Sequence, residues 1–163
     1  MRRVIHFARA SSFAVSAAAP AQTSTSADTL HDAFADVNGI HRHYRIGGRG
    51  PALVLLHGLT HSAAWWDSLA PVLMTDHTVI APDLRGHGRS NNPSGVFRHP
   101  LAAADILQLL THLGIRDFSG IGHSSGAGIF LHMAAMEPDR VKAMIVIGLG
   151  HRIASTAPTA PPA

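Results

Sequence analysis

The chain contains no cysteine, which excludes a disulfide framework, a thiolate nucleophile and a cysteine-based zinc site, and leaves the redox compartment unread. It is also poor in charge: 14% of its 163 residues are Asp, Glu, Lys or Arg, against 46% hydrophobic ones. With a mean hydropathy of +0.14, that composition describes one globular domain and excludes a long disordered tract. No apolar run approaches the roughly 20 residues that cross a bilayer, so no membrane partner is expected. The isoelectric point of about 10.6 invites a nucleic-acid partner. Arg2, Arg3 and Arg9 all precede the first acidic residue, Asp28, however, and without them ten basic residues face ten acidic ones. A neutral body gives no support to a phosphate-binding face.

Residues 1–27 form a compositional zone of their own. Met1-Arg2-Arg3 is followed by an Ala/Ser stretch interrupted by His6 and Arg9, then by Ala19-Pro20-Ala21 before Gln22. A secretory leader with an A-x-A cleavage site, an organellar transit segment and a plain disordered tail all fit this pattern, so localisation stays open between export and the cytoplasm. At the other end, residues 151–163 run through His-Arg-Ile into Ala, Ser, Thr and Pro, and read as a second disordered tail.

Residues 34–150 lie between these zones and carry the periodic patterns. Phe34–Val37 and Ile40–Ile46 flank Asn38-Gly39, a hairpin signal, and their alternation predicts edge strands. Ala52–Leu56, Thr78–Ala81 and Ala143–Ile147, with a shorter run ending at Ile121, are apolar without alternation, as parallel strands covered on both faces are. Helical spacing joins Trp66, Leu69, Ala70 and Leu73, where Pro71 is expected to kink or divide the helix. It also joins Ile106, Leu109, Leu110 and Leu113 between Pro100 and Gly114, and Ala127, Phe130, Leu131 and Ala134 ahead of Pro138. The order β-β-β-α-β-α-β-α-β predicts an open, mostly parallel α/β sheet with helices on both faces.

Gly122-His123-Ser124-Ser125-Gly126 is a G-x-S-x-G placed between a strand and an amphipathic helix. A nucleophile on a sharp strand-to-helix turn takes strained backbone angles, and side chains two positions before and after it would collide, so glycines are needed there. The first N–H groups of the following helix then face the reacting oxygen and stabilise its developing charge. Upstream, Leu55-Leu56-His57-Gly58-Leu59 ends a buried strand. There Gly58 permits close backbone approach, and the Leu59 N–H can join that of Ser125 as a two-donor oxyanion hole.

With Asp83-Leu84-Arg85-Gly86-His87-Gly88-Arg89-Ser90 after the next strand, these motifs resemble the N-terminal part of an α/β-hydrolase-fold serine hydrolase, over residues 34–150. The resemblance implies Ser124 as nucleophile and a small-molecule ester, lactone or amide as substrate, with no cofactor. It also implies that Asp83–Ser90 is a structural turn rather than a source of triad members. Epoxide hydrolases and dehalogenases of this fold place an aspartate where this chain has Ser124, which argues against their chemistry.

A triad on this fold runs in the chain order Ser, Asp/Glu, His. After Ser124 come only Glu137 and Asp139 as acids, and His132 and His151 as imidazoles, none at the family's positions. The expectation is therefore a fold truncated after the sixth strand, with the triad acid and histidine outside this chain, or else a non-catalytic fragment. A sheet ending there presents Met144–Ile147 as an unpaired apolar edge, so self-association is expected. Thirteen histidines raise the question of a metal. His41 with His43, and His57 with His61, have two ligands each at best and no zincin glutamate, so no metal site is expected.

Overall fold

A computed structural model describes residues 29–150. The 1–27 leader, the 151–163 tail and His151 lie outside the described residues. Asn38 and Gly39 adopt φ of 51° and 73°, the left-handed pair that a two-residue hairpin requires, and join β1 (His31–Val37) to β2 (Ile40–Gly48). β1 begins at His31 rather than at Phe34 because His31 already pairs with Ile46 across the hairpin.

The remaining strands are β3 (Ala52–Leu56), β4 (Thr78–Pro82), β5 (Phe118–His123) and β6 (Val141–Ile147), in one sheet ordered β1-β2-β4-β3-β5-β6. The hairpin adds antiparallel to β4, and β4, β3, β5 and β6 run parallel. β2 is thus internal, which corrects the expectation of an edge strand. Its polar residues misled because two of them, Arg42 and His43, are buried with partners.

Helix α2 (His99–His112) and helix α3 (Ser125–Met136) cover one face of the sheet, where Ile106, Leu110, Ile129, Phe130 and Met133 pack on Val54 and Leu56. Burying a side chain such as Phe130 contributes about 2–3 kcal/mol. Leu131, expected on this face, is exposed, and Ile129 and Met133 take the inward positions instead. The other face is covered by Ala63, Trp66 and Ala70 against Leu53, Leu55 and Val79. Pro71 divides that segment, as its ring demands, into a one-turn 3-10 helix (Ala63–Trp66) and helix α1 (Ala70–Leu73). The proline falls in the first turn of α1, where its missing N–H removes no helical bond.

A buried charge cluster fastens the hairpin to α2. Arg42 donates to Asp105 at 3.0 Å and to the Asp83 carbonyl oxygen at 2.7 Å. Arg85 forks onto the same carboxylate at 2.6 and 2.7 Å, and the Asn38 amide donates to it as well. Burial draws the Arg42 guanidinium down to about 10, against the Asp105 charge that holds it up. β6 is parallel to β5 as expected, but its apolar run is not covered: Met144, Ile145, Val146 and Ile147 are exposed among the described residues.

Candidate active site

The sheet changes winding direction at β3, whose neighbours are β4 and β5, and in open α/β sheets ligands bind beyond the strand ends at such a point. Register brings the two motifs together there. Leu56 lies opposite Gly122, so the residues leaving β3, His57-Gly58-Leu59, meet those leaving β5, His123-Ser124. A Cβ built on Gly58 would stand 3.4 Å from the Ser124 Cβ and 2.9 Å from His123 Nδ1, so only glycine lets the two strand ends approach this closely.

Ser124 is exposed, with φ 52° and ψ −112°, angles that an L-residue rarely holds. Its N–H donates to the Ile147 carbonyl of β6 at 2.7 Å, while its own carbonyl accepts from Ala127 and Gly128 and starts α3. The flanking glycines are sterically required. A Cβ on Gly122 would come within 2.7 Å of the Gly126 carbonyl oxygen. One on Gly126 would collide with the Leu56 carbonyl oxygen and lie 2.8 Å from that of His57. Ser125, the first residue of α3, leaves its N–H without a helical partner, as first-turn residues do.

The Leu59 N–H belongs to the same peptide group as the Gly58 carbonyl. That carbonyl accepts from His57 Nδ1 at 2.8 Å and from the His61 N–H at 3.2 Å. A planar trans peptide then points the Leu59 N–H the opposite way, away from the protein bonds that hold its carbonyl. His57 is fixed in turn by the Leu84 N–H, which donates to Nε2 at 3.0 Å. The ring is therefore the Nδ1–H tautomer with both nitrogens engaged, a brace and not a base. Burial pushes its pKa down to about 4, even though the Gly58 carbonyl favours the proton. Next along, Thr60 has φ 80°, so both loops that meet at the strand tips contain a strained non-glycine residue, the kind of outlier that clusters at functional sites.

His57 makes stability depend on pH. The unfolded ring titrates near 6.5 and the folded one near 4. Below about pH 6.5 the unfolded chain binds the extra proton, so stability is complete above that value and falls as pH drops toward 4, by on the order of 3 kcal/mol. Urea unfolding at about pH 7 and at about pH 4.5 is expected to show this loss in the wild type and much less of it in His57→Gln. Equal losses in both proteins would assign it to other groups.

Asp83 behaves as the turn residue that the resemblance implied. Burial alone would raise its carboxyl, but the N–H groups of Arg89 and Ala63 and the His43 imidazole, at 2.8, 2.6 and 2.7 Å, hold it below the usual range. His87 packs between His57 and Phe97, its Nδ1 2.9 Å from the Arg85 carbonyl oxygen. Glu137 lies past the far end of α3, about 20 Å from Ser124 at the helical rise, and pairs with Arg140 at 2.8 Å.

Three residues beside the site carry no pattern in the sequence that assigns them there. Trp65 stacks on His123 at 5.4 Å between ring centroids and meets His61 edge-on at 4.0 Å. It is 47% exposed, unlike Trp66 in the core. His99, which begins α2, places Nε2 2.9 Å from Ser125 Oγ.

Comparison with known proteins agrees with this architecture. A family model described as the alpha/beta hydrolase fold matches residues 51–162. The chain is 37% identical over 121 residues to a soluble epoxide hydrolase of a Corynebacterium species, covering 74% of this chain and 42% of that protein. It is 35% identical over 119 residues to a fluoroacetate dehalogenase of a Burkholderia species, at 70% and 39% coverage. Among solved structures, Epoxide Hydrolase A from Mycobacterium thermoresistibile superposes with a TM-score of 0.69 at 31% identity, over 72% of this chain and 39% of that one. The chain thus spans about two-fifths of the length of these relatives. A mostly parallel sheet, a glycine-flanked serine turn and matches of this kind lead to one conclusion: the chain belongs to the α/β hydrolase fold family.

Proposed function

We propose that Ser124 is the nucleophile of a hydrolase acting on small-molecule esters, lactones or amides. The observation that carries the proposal is the backbone of Ser124 itself, left-handed and exposed at the strand tips. Its Oγ would add to the acyl carbon while the Leu59 and Ser125 N–H groups receive the developing oxyanion, each donor contributing a few kcal/mol to the transition state. The serine proton would pass to a base, the alcohol or amine would leave protonated, and water would cleave the acyl-serine. We assign the triad acid and histidine to sequence outside residues 1–163, in keeping with the two-fifths of its relatives that the chain spans.

The relatives named for epoxide hydrolysis and dehalogenation act at saturated carbon. A serine attacking such a carbon would leave an ether, which has no carbonyl for water to attack, whereas a carboxylate leaves a hydrolysable ester. A hydroxyl at position 124 therefore favours acyl chemistry. A second reading, a domain that binds without turnover, draws on the absence of a placed base among the described residues, since a serine hydroxyl without one is a weak nucleophile.

A fluorophosphonate probe separates the two. Slow covalent labelling at one site is expected by intact-mass measurement, because an oxyanion hole alone retains roughly 10³–10⁴-fold catalysis over water. Ser124→Ala is expected to abolish it. An unlabelled wild-type chain would leave the binding reading.

A further inference from the structure

The His99–Ser125 contact lies outside the motifs but directly behind one of the two assigned oxyanion donors. Nε2 of His99 and Oγ of Ser125 are 2.9 Å apart, and Ser125 is only 9% exposed, so water competes little for this bond. The imidazole is also seated on the first turn of α3, since a Cβ on Gly128 would come within 2.8 Å of its Nδ1. His99 therefore touches that turn at two points, from a different helix.

This matters because Ser125 follows the left-handed Ser124, and the peptide joining these two residues carries the Ser125 N–H. Rotation of the first turn about the Ser124 hinge would swing that N–H off the oxyanion. The Ala127 and Gly128 bonds to the Ser124 carbonyl lie within the turn and move with it, whereas a side-chain tether to α2 opposes rotation of the turn as a body. We propose that His99 is a positioning residue which, through Ser125 Oγ, aims the Ser125 N–H at the oxyanion; this rests on the acyl-transfer reading of Ser124. With Nε2 bare, the ring accepts the Ser125 hydroxyl proton.

The test uses two readouts on the full chain. In amide NMR, the Ser125 N–H resonance is expected to shift in His99→Ala, to return toward its wild-type position in His99→Gln, whose side-chain amide can hold the Ser125 hydroxyl, and to stay in place in His132→Gln. A Ser125 amide indifferent to His99 overturns the proposal whether or not the chain is an enzyme. In fluorophosphonate labelling, His99→Ala is expected to lower the maximal rate on the order of tenfold, a part of the 10²–10³ lost with a whole donor, without changing the half-saturating probe concentration. His99→Gln is expected to restore most of the rate, and unfolding midpoints of each variant exclude simple misfolding. Wild-type labelling at Ser124 that proceeds unchanged in His99→Ala removes the role of His99 alone. A wild-type chain that does not label, or that labels equally in Ser124→Ala, removes the acyl-transfer reading and the proposal with it.

Discussion

Asp105→Ala is expected to destabilise the domain by about 3–5 kcal/mol, a large fraction of the margin by which a domain of this size stays folded. The reason is charge without a partner. Asp105 is fully buried and, among the described residues, is the only carboxylate that both the Arg42 and Arg85 side chains pair with. Removing it leaves two guanidinium groups in an interior where Arg42 Nε already lacks a partner. Arg42→Met is the informative comparison, because it leaves the Arg85–Asp105 pair intact and substitutes apolar volume for a charge. Its expected loss is smaller, about 1–2 kcal/mol. Urea denaturation of the two variants measures the difference. Equal losses would mean that the cluster acts through packing and not through charge.

Gly126→Ala is expected to be nearly as damaging and to reach the site as well. The added methyl meets the carbonyl oxygens of Leu56 and His57, which are backbone atoms of the β3 end and cannot rotate aside. Overpacking typically costs about 1–3 kcal/mol and occasionally more, and relief here requires α3 to move off β3. That movement separates Ser125 from Leu59, so fluorophosphonate labelling at Ser124 is expected to fall with stability. Gly128→Ala serves as the contrast for stability alone, because its new methyl meets the His99 imidazole, a side chain able to turn, though turning it releases Ser125. A Gly126→Ala protein with a wild-type unfolding midpoint and wild-type labelling would contradict the steric reading of the turn.

What was legible in the sequence is what depends on neighbours along the chain. The glycines around Ser124 answer a collision within five residues, and the Asn38-Gly39 turn answers a requirement for positive φ in two. Pro71 announced the division of its helix through its own ring. The parallel core strands were visible because covering both faces leaves no polar position. Contacts between distant segments left no such trace. Nothing near Arg42 names its partner Asp105, 63 positions away, and a strand that alternates through such polar residues therefore reads as an edge. His99 could not be connected to Ser125, 26 positions on, since nothing in a lone histidine before a proline names its acceptor. Thr60 gave no sign of its left-handed φ. Leu131 fits the same helical period as its buried neighbours, and only the direction in which α3 faces the sheet turns it outward.

The backbone at Ser124 bears on how such a chain changes over generations. An L-side chain at φ 52° and ψ −112° holds roughly 1–3 kcal/mol of strain, and glycine reaches the same angles with no Cβ to crowd them. A lineage kept only for its fold is therefore offered a stabilising substitution at position 124. Drift under selection for stability alone runs toward glycine, so a serine at that position is what selection for its hydroxyl would hold in place.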